Sequence, residues 1–183
     1  MRGSSAEITR AAIFDESGQF RYSLLRRWSG GKGRVAMILL NPSTADATRD
    51  DPTLRRCIGF ARRWGFASLE VVNLFAYRAT RPQQLRQAAD PVGPENDGHL
   101  ARAVGNAGVG VAAWGVHGAL AGRNEKVLKM LSELGLSLLC LGLTKAGHPR
   151  HTLYLPNHTP LIPFPSGVPV QGVGSHRRPR PRG

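Results

Sequence analysis

A chain of 183 residues with 41% apolar and 20% charged side chains is long enough for one domain with a sizeable core and too apolar to stay disordered. No run approaches the roughly 20 apolar residues of a membrane helix, the start MRGSSAEITR lacks the apolar segment of a secretory signal, and two cysteines, Cys57 and Cys140, are too few for a disulfide framework or a cysteine-built zinc site. A cytoplasmic, non-membrane protein is expected, with a monomer as the simplest state, and 25 Lys plus Arg against 12 Asp plus Glu (net +13) favour a polyanionic partner, above all nucleic acid.

In chain order, RAAIF and FRYSLLRRW flank Asp15-Glu16-Ser17-Gly18, whose turn chemistry predicts a hairpin. GGKGR, residues 30 to 34, precedes the first core strand, VAMILLN. It is not a phosphate-binding loop, because its glycines come before the strand and no Ser or Thr follows the lysine. Three more unbroken apolar runs, LEVVNLF (69 to 75), VGVAAWG (109 to 115) and LSLLCLG (136 to 142), suit strands covered on both faces. Helical patterns lie between them. The first starts where Asp51 can cap with Pro52 at the first position. It carries Leu54, Cys57, Ile58, Ala61 and Trp64 on one face and Arg55, Arg56, Arg62 and Arg63 largely off it. A second begins near Pro82, a third after GPEND, and a fourth spans roughly 117 to 134. The alternation predicts a three-layer α/β/α sandwich around a mainly parallel sheet over residues 1–164. A basic Pro/Gly/Arg-rich tail, expected to be disordered, follows over 165–183.

Ligands of open parallel sheets bind beyond the carboxyl ends of the strands. That rule selects Asn41, Pro42, Ser43 and Asp46 after the first run, then Asn73, Tyr77, Arg78 and Thr80 after the second. Trp114 and His117 follow the third run, and Lys145, His148, Arg150 and His151 the fourth. Such a rim has the composition of a base- or nucleoside-sized pocket. Plainer roles are open to the same residues. Asn41 can satisfy a strand end, Asp46 and Asp51 can cap helices, Trp114 can be core, Tyr77 a loop anchor and Arg78 a solvated charge. His148, His151 and His158 lack companion cysteines or an HExxH pattern, and no metal is expected. Ser43 lacks the G-x-S-x-G elbow of a hydrolase nucleophile.

Together LNPSTADATRDDPTLRRCIGFARRWGF, VVNLFAYRATRP, AWG and GHPRHTLYL resemble a bacterial and phage family known as a domain of unknown function, over roughly residues 20 to 164. More distantly, LLNPS, AAWG and RHTLYL, in that order after apolar runs, are similar to the motifs of uracil-DNA glycosylases. That resemblance implies their α/β/α fold, with Asn41 orienting or activating water and Pro42 and Ser43 completing its loop. It further implies that His151 stabilises the departing base or the sugar cation, and that Asn73 reads the base edge. The chain departs from the pattern at Leu39, where those enzymes have Gly, and at Thr152, where they have Pro. With no four-cysteine cluster, an iron–sulfur glycosylase is excluded, and no cofactor is expected.

The resulting expectation is a DNA-base-directed glycosylase. Asn41, His151 and Asp46 (as general base) are its catalytic candidates. Tyr77 and Trp114 would stack on an extruded base, with Arg78 also in the site. Arg55, Arg56, Arg62, Arg63, Lys145 and Arg150 would hold phosphates. The alternatives are a non-catalytic sensor of modified bases and a hydrolase or transferase acting on free nucleotides.

Overall fold

An apolar run with no polar alternation is explained when both faces of its strand are covered, and β3 (Arg34–Leu39) is such a strand. In the computed structural model, which describes residues 8–165, Val35, Met37 and Leu39 pack into one apolar layer and Ala36 and Ile38 into another. The first layer also holds Leu54, Cys57, Phe60 and Ala61 of α1 (Pro52–Arg63). The second is filled by Leu85 of α2 (Pro82–Gln87), by Leu100, Ala103 and Val104 of α3 (Asn96–Gly105), and by Val127 and Leu131 of α4 (Arg123–Glu133). Helices therefore cover the sheet on both sides. The tail expected over 165–183 lies, after its first residue, outside the described residues.

The remaining strands are β1 (Thr9–Phe14), β2 (Arg21–Arg27), β4 (Ser68–Asn73), β5 (Val109–Ala112), β6 (Leu139–Cys140) and β7 (Ile162–Pro163). They join β3 in one seven-stranded sheet of order β1-β2-β4-β3-β5-β6-β7. β4, β3, β5 and β6 run parallel at its centre, while β1, β2 and β7 pair antiparallel at the edges. The sheet is thus mixed, more evenly than expected. The hairpin does not stand apart from the core, because β2 pairs directly with β4 and extends the sheet by two strands.

Local chemistry sets the boundaries. Asp51 accepts from the Leu54 backbone N–H at 2.7 Å and Pro52 occupies the first position of α1, as the sequence predicts. The fourth helical pattern breaks in two. A 3-10 segment over Val116–Gly122 precedes α4, and at its end Ala121 and Gly122 take φ of 53° and 64°. The break lets buried Arg123 donate to the Leu74 carbonyl at 2.7 Å and to Asp97, fastening α4 to the end of β4. The run at 136 to 142 yields only two strand residues, and just before them the Leu138 carbonyl accepts from the Phe164 N–H at 3.0 Å. β7 itself is too short to leave any periodicity in the sequence.

Candidate functional site

At the carboxyl ends of β3 and β5, on the α1 side of the sheet, lies a cleft of about 340 Å³. Its sheet-side wall is Leu24, Leu39 and Val71, and its rim carries Asn41, Ser43, Asp51, Thr80, Trp114, His117 and His151. The Asn41 amide donates to the Ala79 carbonyl at 2.7 Å and the Pro42 carbonyl at 2.9 Å. Both its N–H groups are thereby used, and Oδ1 is left to accept from a ligand or water. Buried Pro42 stands behind it, its carbonyl also taking the Ala79 N–H at 3.0 Å. The loop after β3 is thus locked to the segment after β4.

His151 reaches the cleft from the loop after β6. Its Nδ1 accepts from the Leu153 backbone N–H at 3.1 Å, which places the ring proton on Nε2. Burial holds its pKa below the ordinary 6.5, with the Asp51 carboxylate pulling the other way. Its loop is tied to α1 twice. Buried Thr152 has its Oγ1 3.6 Å from the Cys57 Sγ, and Arg56 donates to the Leu155 carbonyl and to Asn157. Arg56 therefore positions this loop rather than standing free for phosphate. Burial pushes the Cys57 thiol up to about 12, so it is an inert packing group. Three residues past His151, Tyr154 is 92% exposed at φ of 70°, an unusual backbone for an aromatic residue.

Sequence reasoning missed the cleft's most unusual residue, Arg21. It stands at the start of β2, where Phe14 pairs with Arg21 but Ile13 pairs with Ser23, so Tyr22 is an extra residue in the strand. The bulge resets the alternation and brings Arg21 onto the wall it shares with Leu24. Arg21 is only 3% exposed, yet among the described residues its guanidinium donates only to the Ala45 carbonyl at 2.7 Å and, at 3.5 Å, to the Asn73 Oδ1. Its Nε has no partner among the described residues. Burial brings its pKa down to about 10, Asp51 opposing and Arg78 and Arg26 adding to the effect, so it remains a cation at neutral pH. A lone arginine at a strand start carries no sequence signal. Only the bulge aims it.

Several candidates lie elsewhere. Asp46 accepts from the Thr48 and Arg49 backbone N–H groups and the Thr48 hydroxyl, at 2.7 to 2.9 Å, and does not line the cleft. Those donors hold its pKa down at about 2, which makes it a loop organiser and a weak base. The carboxylate in the cleft is Asp51, whose capping role was legible but whose second face was not. Asn73 is buried and reaches the cleft only through Arg21. Tyr77 bridges to Phe20, and Arg78 bonds the Gly18 carbonyl and lies over Phe14, so both brace the β1–β2 turn. Trp114 lines the cleft but is 2% exposed, packed against Gly118 and edge-on to Phe164, more a wall than an open stacking platform. Arg55, Arg62, Arg63, Lys145 and Arg150 are exposed.

Among the described residues no three His, Cys, Asp or Glu side chains gather as a metal site, and no helix is long and apolar enough to cross a membrane. No curated protein and no solved structure matches the chain. Residues 21–153, from the cleft arginine through the His151 loop, match a family profile, and the chain belongs to the family described as Protein of unknown function (DUF1643).

Proposed function

We propose that the chain is a DNA-base-directed enzyme of glycosylase type, hydrolysing the N-glycosidic bond of an altered, mismatched or modified base. The observation that carries this reading is the meeting of Asn41, with its free Oδ1, and His151, with its Nε2–H, on one cleft. At about 340 Å³ the cleft sits at the lower end of the roughly 300–1,000 Å³ span of small-ligand sites.

In the proposed reaction the glycosidic bond breaks heterolytically. Its electron pair leaves with the base, and the sugar becomes an oxocarbenium ion. The His151 Nε2–H donates to the base oxygen where negative charge grows, and a neutral imidazole suits that task because it stays a donor without having to surrender its proton. Asn41 Oδ1 orients the water that adds to the sugar carbon. The proton this water releases goes to Asp51, the carboxylate that faces the cleft, in place of Asp46. Exposed Tyr154, beside the His151 loop, offers an aromatic face to unpaired bases. The distant likeness to uracil-DNA glycosylases agrees with this division of labour.

The test uses oligonucleotides carrying uracil, hypoxanthine, mismatches or hypermodified pyrimidines, followed by alkaline cleavage of abasic sites. Strand breaks that vanish in Asn41→Ala and His151→Ala are the expected result. Tight binding with no abasic product on any substrate would instead mark the chain as a sensor of modified bases.

A further inference from the structure

Arg21 has no part in the reaction just described, yet the cleft keeps its charge. A guanidinium this deeply buried ordinarily sits against a carboxylate, because taking an isolated ion out of water is costly unless an opposite charge compensates it. The contrast within the molecule is direct. Arg26, fully buried further along β2, has Asp50 at 2.8 Å and the Asp46 and Arg49 carbonyls besides. Buried Arg123 has Asp97. Among the described residues no carboxylate forms an ion pair with Arg21. Asp51, the nearest in effect, accepts from the Leu54 N–H at the start of α1 and forms no ion pair with Arg21. The guanidinium forms one short hydrogen bond and one long one, and its Nε remains unused. Arg78, the neighbour that adds to its field, also lacks an acidic partner among those residues.

We propose that the sheet-side wall of the cleft is an oxyanion subsite, in which the Arg21 guanidinium binds a phosphate or carboxylate group of the ligand. This rests on the cleft being the ligand site, but not on the chemistry assigned to Asn41 and His151. It also narrows the substrate. A phosphodiester backbone crossing the mouth cannot reach a residue that is 3% exposed on the inner wall. The anion therefore enters with the ligand's own head group, either as an acidic substituent on a base or as the monophosphate of a free nucleotide. A planar fork of N–H donors matches both, since each presents paired oxygens.

The experiment measures thermal stabilisation and calorimetric binding on the full chain, using inorganic phosphate, a pyrimidine nucleoside 5′-monophosphate, the same nucleoside unphosphorylated, and its 5-carboxy derivative. Wild type is compared with Arg21→Met and Arg21→Lys. Charged probes should raise the wild-type Tm and the neutral nucleoside should do so less. Arg21→Met should weaken the charged probes roughly tenfold or more without lowering the Tm of the ligand-free protein, because it removes an uncompensated ion. A merely structural arginine would give the opposite Tm change. Should the Met variant not fold, Arg21→Lys decides, as it keeps the charge but loses the fork. Weaker binding supports the subsite, and unchanged binding overturns it. A response to phosphate and the monophosphate alone assigns a nucleotide, and a response to the carboxy nucleoside alone assigns an acidic base. No response to any anion, or an equal response in Arg21→Met, overturns the proposal. Asn41→Ala separates the two readings, since it should abolish base release and leave the anion response intact.

Discussion

Whether a half-buried histidine serves as an acid or as a neutral donor depends on which nitrogen holds the proton, and His151 is committed by its own loop. The Leu153 N–H needs the Nδ1 lone pair, so protonating that nitrogen would break a hydrogen bond as well as place charge in the cleft wall. Burial lowers the His151 pKa below 6.5, partly offset by Asp51. In the window just below 6.5 the unfolded chain therefore binds more protons than the folded one. The sign follows from linkage: stability rises with pH through that window and levels off above it, where the ring is neutral in both states. Urea unfolding of wild type and His151→Gln across this range should show a shallower acid-side loss in the variant. Equal slopes in the two proteins would mean that His151 protonates freely and is not held as a neutral donor.

At the scale of elements, the wall beside the cleft depends on a glycine. A Cβ on Gly118 would lie 2.1 Å from Cδ1 and 2.6 Å from Nε1 of Trp114, a ring that also packs edge-on to Phe164, 5.6 Å away at 74°. Gly118→Ala should therefore destabilise the fold by about 1–3 kcal/mol, the ordinary cost of overpacking. Gly59, exposed in α1, is the control of opposite sign, because a methyl group added there would meet nothing within 4 Å. There alanine should stabilise by up to about 1 kcal/mol. Comparable urea midpoints for the two variants would show that Trp114 can yield. The same elements show what a sequence can reveal. Asp51-Pro52 announced the start of α1 because capping is local chemistry. The strand runs were legible because covering both faces removes polar alternation. Asn41 and His151 stood out because they follow strand ends. Arg21, Asp51 as a cleft residue, and the β7 edge were hidden, because a bulge, a second face and a two-residue pairing depend on what lies across the sheet.

For the whole molecule, the net charge of +13 becomes informative once the arginines are sorted by what they already hold. Arg56 is used within the fold by Leu155 and Asn157. Arg55, Arg62 and Arg63 are exposed on α1, the helix whose first turn, through Thr53 and Leu54, lines the cleft; Arg55 also donates to the Asp50 carbonyl at 2.9 Å and Arg62 lies over the Trp28 ring. Arg55 and Arg62 are two helical turns apart on nearly the same line, a spacing of roughly 10 Å. The positive end of the helix dipole points toward the cleft. Under the proposed function, such a row would track the phosphate backbone while one nucleotide enters the cleft. Each arginine that neutralises a phosphate contributes about 0.9 to the slope of log affinity against log salt on duplex DNA, and about 0.7 on a single strand. Arg55→Gln and Arg63→Gln should each flatten that slope by such an amount, nearly additively. Arg56→Gln should leave the slope unchanged and lower thermal stability instead, through the loosened His151 loop. Titrations of a labelled oligonucleotide at several salt concentrations read both effects. If neither Arg55→Gln nor Arg63→Gln changes the slope, the α1 face does not hold the backbone.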